Sequence, residues 1–169
     1  MSGEVPVITH NMKLGIDGLV DRKFKKLWKY YLLQCILATT VFAALVLILG
    51  KEKVVLISAM GATCFIVFAL PTTTSAQTRN VIGGHLAGLI CGAIFYFIGL
   101  PQIITYPSTV GLAIFVMVIL DVEHPPAAGT ALAVVANEVS YDAFITIMIS
   151  AVVLSQCRYY LRSILKDLL

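Results

Sequence analysis

Apolar residues in this chain form long blocks, and the polar residues collect in the gaps between them. No Asp, Glu, Lys or Arg occurs in residues 32–50, 54–78, 80–120 or 143–157. A helix needs about 20 predominantly apolar residues to cross ~30 Å of hydrocarbon. The pattern therefore predicts a first span over about Leu32–Leu49, a tight turn at Gly50-Lys51-Glu52-Lys53, and an antiparallel second span over about Val54–Leu70 that stops at Pro71. A third span is expected over about Val81–Leu100 and a last one over about Tyr141–Leu161. Between these, Pro101 to Pro107 reads as a short loop. Thr109–Leu120 is about twelve residues, ~18 Å of helix, and Ala127–Ala136 is shorter, so neither comfortably crosses alone.

Two polar breaks interrupt the apolar pattern. The first is Thr72-Thr73-Thr74-Ser75-Ala76-Gln77-Thr78-Arg79-Asn80, rich in hydroxyls and amides. The second is Asp121-Val122-Glu123-His124-Pro125-Pro126, which places two carboxylates and an imidazole inside the run from Val110 to Ala136. Proline cannot continue a helix, and it disfavours helical geometry at the residue before it, His124. Its fixed φ does suit a first helical turn, so Pro125-Pro126 can open a second helix. Residues 109–136 then either cross once as a broken helix or form a hairpin of short or re-entrant helices. The hairpin returns Arg158, Arg162 and Lys166 to the side of the other basic residues, and the positive-inside rule favours it.

Ionisable residues at membrane depth usually face a bundle interior or a water-filled path. In the hairpin topology both breaks emerge on one side and both precede helix N-termini, which favour anions. Arg79 is the only Lys or Arg between Lys53 and Arg158, so a pair with Asp121 or Glu123 is expected. Were that pair buried, removing one partner would cost ~3–5 kcal/mol. Glu123 has the alternative of capping the following helix, and His124 can exchange a proton near neutral pH. His85 lies one turn inside the third span, either as a buried imidazole bonded to a neighbouring helix or as part of the site. Gly84, Gly88 and Gly92 form a small-residue stripe on that span, suited to close helix packing within one subunit or in a homo-oligomer.

Composition agrees with a membrane chain. Of 169 residues, 59% are hydrophobic and 12% charged, against about 25% charged in an ordinary soluble domain. The net charge of +3 is concentrated at the two ends of the membrane region. By the positive-inside rule both termini are expected in the cytoplasm. Val20, Phe24, Leu27, Trp28 and Tyr31 fall at helical spacing among basic residues, as in an interfacial amphipathic helix, so the basic cluster reads as membrane-facing rather than nucleic-acid-binding. Cys35, Cys64, Cys91 and Cys157 lack metal-type or disulfide-framework spacing. His85, His124, Glu123 and Asp121 have ligand chemistry but no recognisable metal spacing, and neither a nucleophile motif nor a phosphate loop occurs. The expectation is no enzyme, no cofactor and no metal. The first thirty residues show neither signal peptide nor transit peptide, which points to a prokaryotic plasma membrane.

At the two breaks the sequence resembles the HPP family of small integral membrane proteins. The residues that carry the resemblance are Ala76-Gln77-x-Arg79-Asn80-Val81-Ile82-Gly83-Gly84-His85 and His124-Pro125-Pro126-Ala127-Ala128-Gly129-Thr130-Ala131-Leu132. Thr78 stands where many relatives carry a second proline, and acidic Glu123 precedes the triplet where a neutral residue is common. The resemblance implies a compact helical bundle of about four spans and a transport role, with nitrite as the solute associated with plant and cyanobacterial relatives. The expected fold is thus all-α, a polytopic membrane helix bundle with two short broken or re-entrant helices around the His-Pro-Pro motif. Its expected parts are an N-terminal segment 1–30, a transmembrane domain 31–162 and a tail 163–169. The expected function is transport of a small solute or ion, a monovalent anion such as nitrite, along a path lined by Gln77, Arg79, Asn80, His85, Asp121, Glu123, His124, Pro125, Pro126 and Thr130. The alternative is a non-transporting membrane scaffold or sensor subunit. The lipid bilayer and a possible second copy of the chain are the other expected partners.

Overall fold

The computed structural model of the chain describes residues 23–49, 54–136 and 141–169. Among these, all regular structure is helical: α1 Phe24–Leu49, α2 Val54–Ala69, a 3-10 turn Thr74–Ala76, α3 Thr78–Ile98, α4 Gln102–Ile119, α5 Pro126–Ala136 and α6 Tyr141–Leu161. Helices α1, α3, α4 and α6 contain stretches long and apolar enough to span a membrane. Helix α2 has 16 residues and α5 only 11, which is ~16 Å of helix, about half of a hydrocarbon core. Most of the expected interfacial helix lies outside the described residues. The part within them, Phe24–Tyr31, runs into the first span as one continuous helix.

Helix α4 departs from the sequence reading. The expected loop at 101–107 is instead the opening of an 18-residue helix that begins at Gln102 and contains Pro107. Pro101 precedes it with φ −55° and ψ 142°, an extended entry that suits a helix start. Within the helix, hydroxyls bond back to carbonyls, Thr105 Oγ1 to Leu100 O at 2.8 Å and Thr109 Oγ1 to Thr105 O at 2.7 Å. Neither bond is to Ile103 O, the carbonyl four residues before Pro107 that its missing N–H leaves free, and apolar membrane helices tolerate proline all the same. Only α5, of the two helices flanking the His-Pro-Pro motif, is too short to cross.

The ends of the helices fix the topology. Residues 162–169 fold back over the start of α1 and the end of α2. Leu168 N–H donates to Ala69 O at 2.9 Å, and Gln34 accepts from Lys166 N–H at 2.9 Å while donating to Lys166 O at 2.8 Å. Arg158 Nε donates to Pro71 O at 2.7 Å. The start of α1, the end of α2 and the end of α6 therefore share one end of the bundle. Arg79, at the start of α3, reaches Leu120 and Asp121 just past the end of α4, so α4 returns to that end and α5 leaves from it. Residues 109–136 form a hairpin, not one broken crossing.

Helix α3 is the centre, packed against α4, α5 and α6, while α2 packs against α1, α5 and α6. One apolar cluster, including Val67, Phe68, Ile147 and Leu154, lies mainly between α2 and α6. A second, with Ala87, Cys91, Ala113, Met117, Val122, Ala127 and Ala131, joins α3, α4 and α5. Large apolar side chains such as Phe97, Ile103 and Phe115 point outward, as lipid-facing positions do.

Candidate functional site

The second break begins with a helix end built on an unusual residue. Val122 N–H bonds to Met117 O at 2.9 Å and Asp121 N–H to Val118 O at 3.2 Å, which is the Schellman arrangement, with Asp121 at its left-handed position, φ 54°. Glycine normally sits there, and aspartate is among the few other residues that adopt this conformation readily. Val122 and Met117 supply the accompanying apolar contact inside the α3–α4–α5 cluster. Arg79 closes the end of α4: Nη1 bonds to Asp121 Oδ2 and Nη2 to Leu120 O, each at 2.8 Å. The guanidinium thus offsets both the carboxylate and the negative end of the helix dipole.

Of the two expected partners, Asp121 and Glu123, Arg79 pairs with Asp121, but in a setting that was not expected. The side chains are 62% and 70% exposed, at the end of the bundle rather than inside it. An exposed pair is worth ~0–1 kcal/mol, so the cost expected for a buried pair does not apply. Gln77 precedes α3 in extended geometry, is exposed, and makes no side-chain cap. Asn80 is buried and donates Nδ2 to the backbone carbonyl of Glu123 at 3.3 Å. Pro125 is exposed and Pro126 buried at the first position of α5, where Ala127 N–H bonds to His124 O at 2.8 Å and Ala128 N–H to Pro125 O at 3.1 Å. The proline pair opens the helix as its fixed φ dictates.

The two breaks meet inside the bundle through neutral polar groups. His124 Nδ1 lies 2.8 Å from Ser75 O in the 3-10 turn, and its Nε2 lies 3.1 Å from Thr63 Oγ1 on α2. Thr63 Oγ1 is also 2.9 Å from His85 Nε2 on α3, whose Nδ1 lies 2.8 Å from Thr130 Oγ1 on α5. The two imidazoles meet edge to face, with centroids 4.9 Å apart and ring planes at 63°. All four side chains, Thr63, His85, His124 and Thr130, have 0% exposure. His85 lies seven residues inside α3 and Thr63 six from the end of α2, each a depth of ~10 Å.

Thr63 is the residue that sequence reasoning missed. Its signal is one of two hydroxyls, with Ser58, in an apolar helix, and such a hydroxyl ordinarily bonds to the carbonyl four residues back. Thr63 does lie 3.0 Å from Ala59 O, so nothing in the pattern of α2 separates the two roles. Among the described residues no three His, Cys, Asp or Glu side chains are grouped as a metal site needs. Asp121 is turned to Arg79 on the exposed face, away from the imidazoles.

The glycine stripe lets the cluster close. A Cβ on Gly84 would lie 2.6 Å from His124 Cβ, one on Gly88 2.4 Å from Ala127 O, and one on Gly92 2.6 Å from Ala131 O. Helix α5 therefore lies on the bare backbone of α3, which brings Thr130 to His85. The stripe is filled within the subunit and gives no argument for a homo-oligomer. Beside the cluster, α2 and α5 leave an apolar groove of about 530 Å³, lined by Ala59, Ala62, Phe65, Pro125, Pro126 and Gly129 among others.

The family model described as HPP, transmembrane region, matches residues 23–166. The chain belongs to the HPP family. The matched range contains all six helices and both breaks, so the buried cluster lies wholly within the HPP transmembrane region. Comparison with curated proteins and with solved structures matched none. An HPP protein with several apolar helices is compatible with a membrane transporter.

Proposed function

We propose that this HPP protein transports a small solute across a membrane, and that the solute is a monovalent anion such as nitrite, the solute the family resemblance implies. The observation that carries the reading is the fully buried cluster of Thr63, His85, His124 and Thr130 where the two polar breaks meet. Ionisable side chains at such depth mark functional sites by default, and helix N-termini that converge on a solute are a recurring construction in transporters. The N-termini of α3 and α5 open at the same end of the bundle, and their dipoles favour an anion there. Arg79 and Asp121 neutralise one another at the exposed end, and in this reading they act as a clamp on α4 rather than as part of the binding site.

In this reading the membrane is a prokaryotic plasma membrane, and the shared end of α1, α2 and α6 faces the cytoplasm. Supporting the orientation are the basic residues at that end, Lys23, Lys25, Lys26, Arg158 and Arg162. A second reading is a non-transporting scaffold or sensor subunit. It is favoured by one observation: among the described residues every buried side-chain polar atom already has a partner, as in a purely structural latch. Purified protein in lipid vesicles separates the two. Transport predicts protein-dependent flux of nitrite or another small anion; no flux for any of a panel of small anions and cations would leave the latch.

A further inference from the structure

The hydrogen atoms of the buried cluster have few possible placements. Ser75 O is a backbone carbonyl and only accepts, so His124 Nδ1 must carry a hydrogen. The Thr63 hydroxyl has one hydrogen and three neighbours, namely Ala59 O at 3.0 Å, His85 Nε2 at 2.9 Å and His124 Nε2 at 3.1 Å. When His124 is neutral, its Nε2 lone pair faces Thr63 and takes that hydrogen. Thr63 then accepts from His85 Nε2–H, and His85 Nδ1 accepts from the Thr130 hydroxyl. Every group is satisfied, and all the bonds run one way, from Thr130 through His85, Thr63 and His124 to Ser75.

One further proton is accommodated without moving a heavy atom. Taken from water and placed on His124 Nε2, it donates to Thr63 Oγ1, and the Thr63 hydrogen turns to the Ala59 carbonyl. Thr130 still donates to His85, and no donor or acceptor loses its partner. A second proton has no such place. On His85 Nδ1 it would displace the Thr130 hydrogen and set two cations with ring centroids 4.9 Å apart.

We propose that Thr63, His85 and His124 form a buried site for one exchangeable proton, with the Thr63 hydroxyl as the switch that reports its occupancy to α2. The surroundings leave the site to itself. The 3-10 turn and α5 carry no titratable side chain, and besides Arg79 the helices α2 and α3 offer the thiols of Cys64 and Cys91 and, three turns beyond His85, the phenol of Tyr96. Arg79 is held by Asp121, Arg158 on α6 is held by Pro71 O, and no carboxylate, Glu123 included, hydrogen-bonds to either ring among the described residues. The use of this proton to drive solute movement rests on the transport reading; the proton site does not.

The test is nitrogen-15 NMR of histidine-labelled protein in lipid bilayers, with His10→Gln removing the third histidine signal. At high pH the two rings should be opposite tautomers, hydrogen on Nε2 in His85 and on Nδ1 in His124. On acidification His124 alone should become doubly protonated. Thr63→Val removes the acceptor for the new N–H and should move that step down by about one pH unit or more, whereas Thr63→Ser should leave it near wild type. Two rings with the same tautomer, or both taking up protons together, would overturn the proposal, and neither observation needs a substitution within the cluster. Unchanged titration in folded Thr63→Val would remove Thr63 from the site. Expected tautomers in a protein without flux would retain the proton site and discard transport; flux with matching tautomers would do the reverse.

Discussion

Two groups tie the elbow at 121–126 to α3, and they differ in kind. At the end of the bundle Arg79 grips Asp121 and the last carbonyl of α4 through full charges that are mostly exposed. About two turns deeper, His124, Thr63, His85 and Thr130 join three helices and the 3-10 turn through uncharged groups with no exposure. Coulomb attraction between exposed ions is weakened by water and salt, while a buried donor or acceptor that loses its partner bears its whole desolvation cost. The conspicuous charges are thus the weaker tie, and the inconspicuous hydroxyls and imidazoles the stronger.

The contrast breaks most severely where the deeper tie depends on bare backbone. Gly88→Leu would drive a side chain into the Ala127 carbonyl, 2.4 Å from the position of the new Cβ, and force α3 and α5 apart. Its expected cost exceeds ~3 kcal/mol in unfolding from lipid micelles, because neither backbone can yield without losing the other contacts. Wild-type stability in this variant would mean that α5 does not lie on the stripe.

Next in size, His124→Leu leaves Ser75 O without its donor and sends the Thr63 hydrogen back to Ala59 O, and should cost ~1–3 kcal/mol by the same unfolding measurement. Smallest is the exposed tie. Arg79→Gln should cost ~0–1 kcal/mol, and adding Asp121→Asn should change stability by no more than that again. A loss as large as that of His124→Leu would show that the pair is buried in the lipid-embedded protein and reverse the ranking.

Which parts were legible in sequence follows from the same physics. Pro125-Pro126 as a helix start, the Arg79–Asp121 pairing, the hairpin of residues 109–136 and the HPP family all announced themselves through rigid backbone chemistry, lone charges or motif residues. The burial of the pair was misjudged because one arginine in a long uncharged stretch looks intramembrane, whereas it stands at a helix start beside solvent. The extension of α4 through Pro107 was hidden because a proline ordinarily marks a helix boundary, whereas apolar membrane helices tolerate it in their interior. Thr63 was unreadable because its bond to Ala59 O is what any helical threonine makes; only the tertiary fold brings two imidazoles to it.

The central claim is that the buried neutral cluster, not the exposed ion pair, carries transport. Nitrite flux into vesicles containing equal amounts of folded protein tests it directly, with Thr63→Val compared against Arg79→Gln combined with Asp121→Asn. The account predicts that Thr63→Val lowers flux about tenfold or more, the scale of one lost buried hydrogen bond, while the doubly neutralised protein stays within about twofold of wild type. Flux retained in Thr63→Val and lost in the neutralised pair would contradict it.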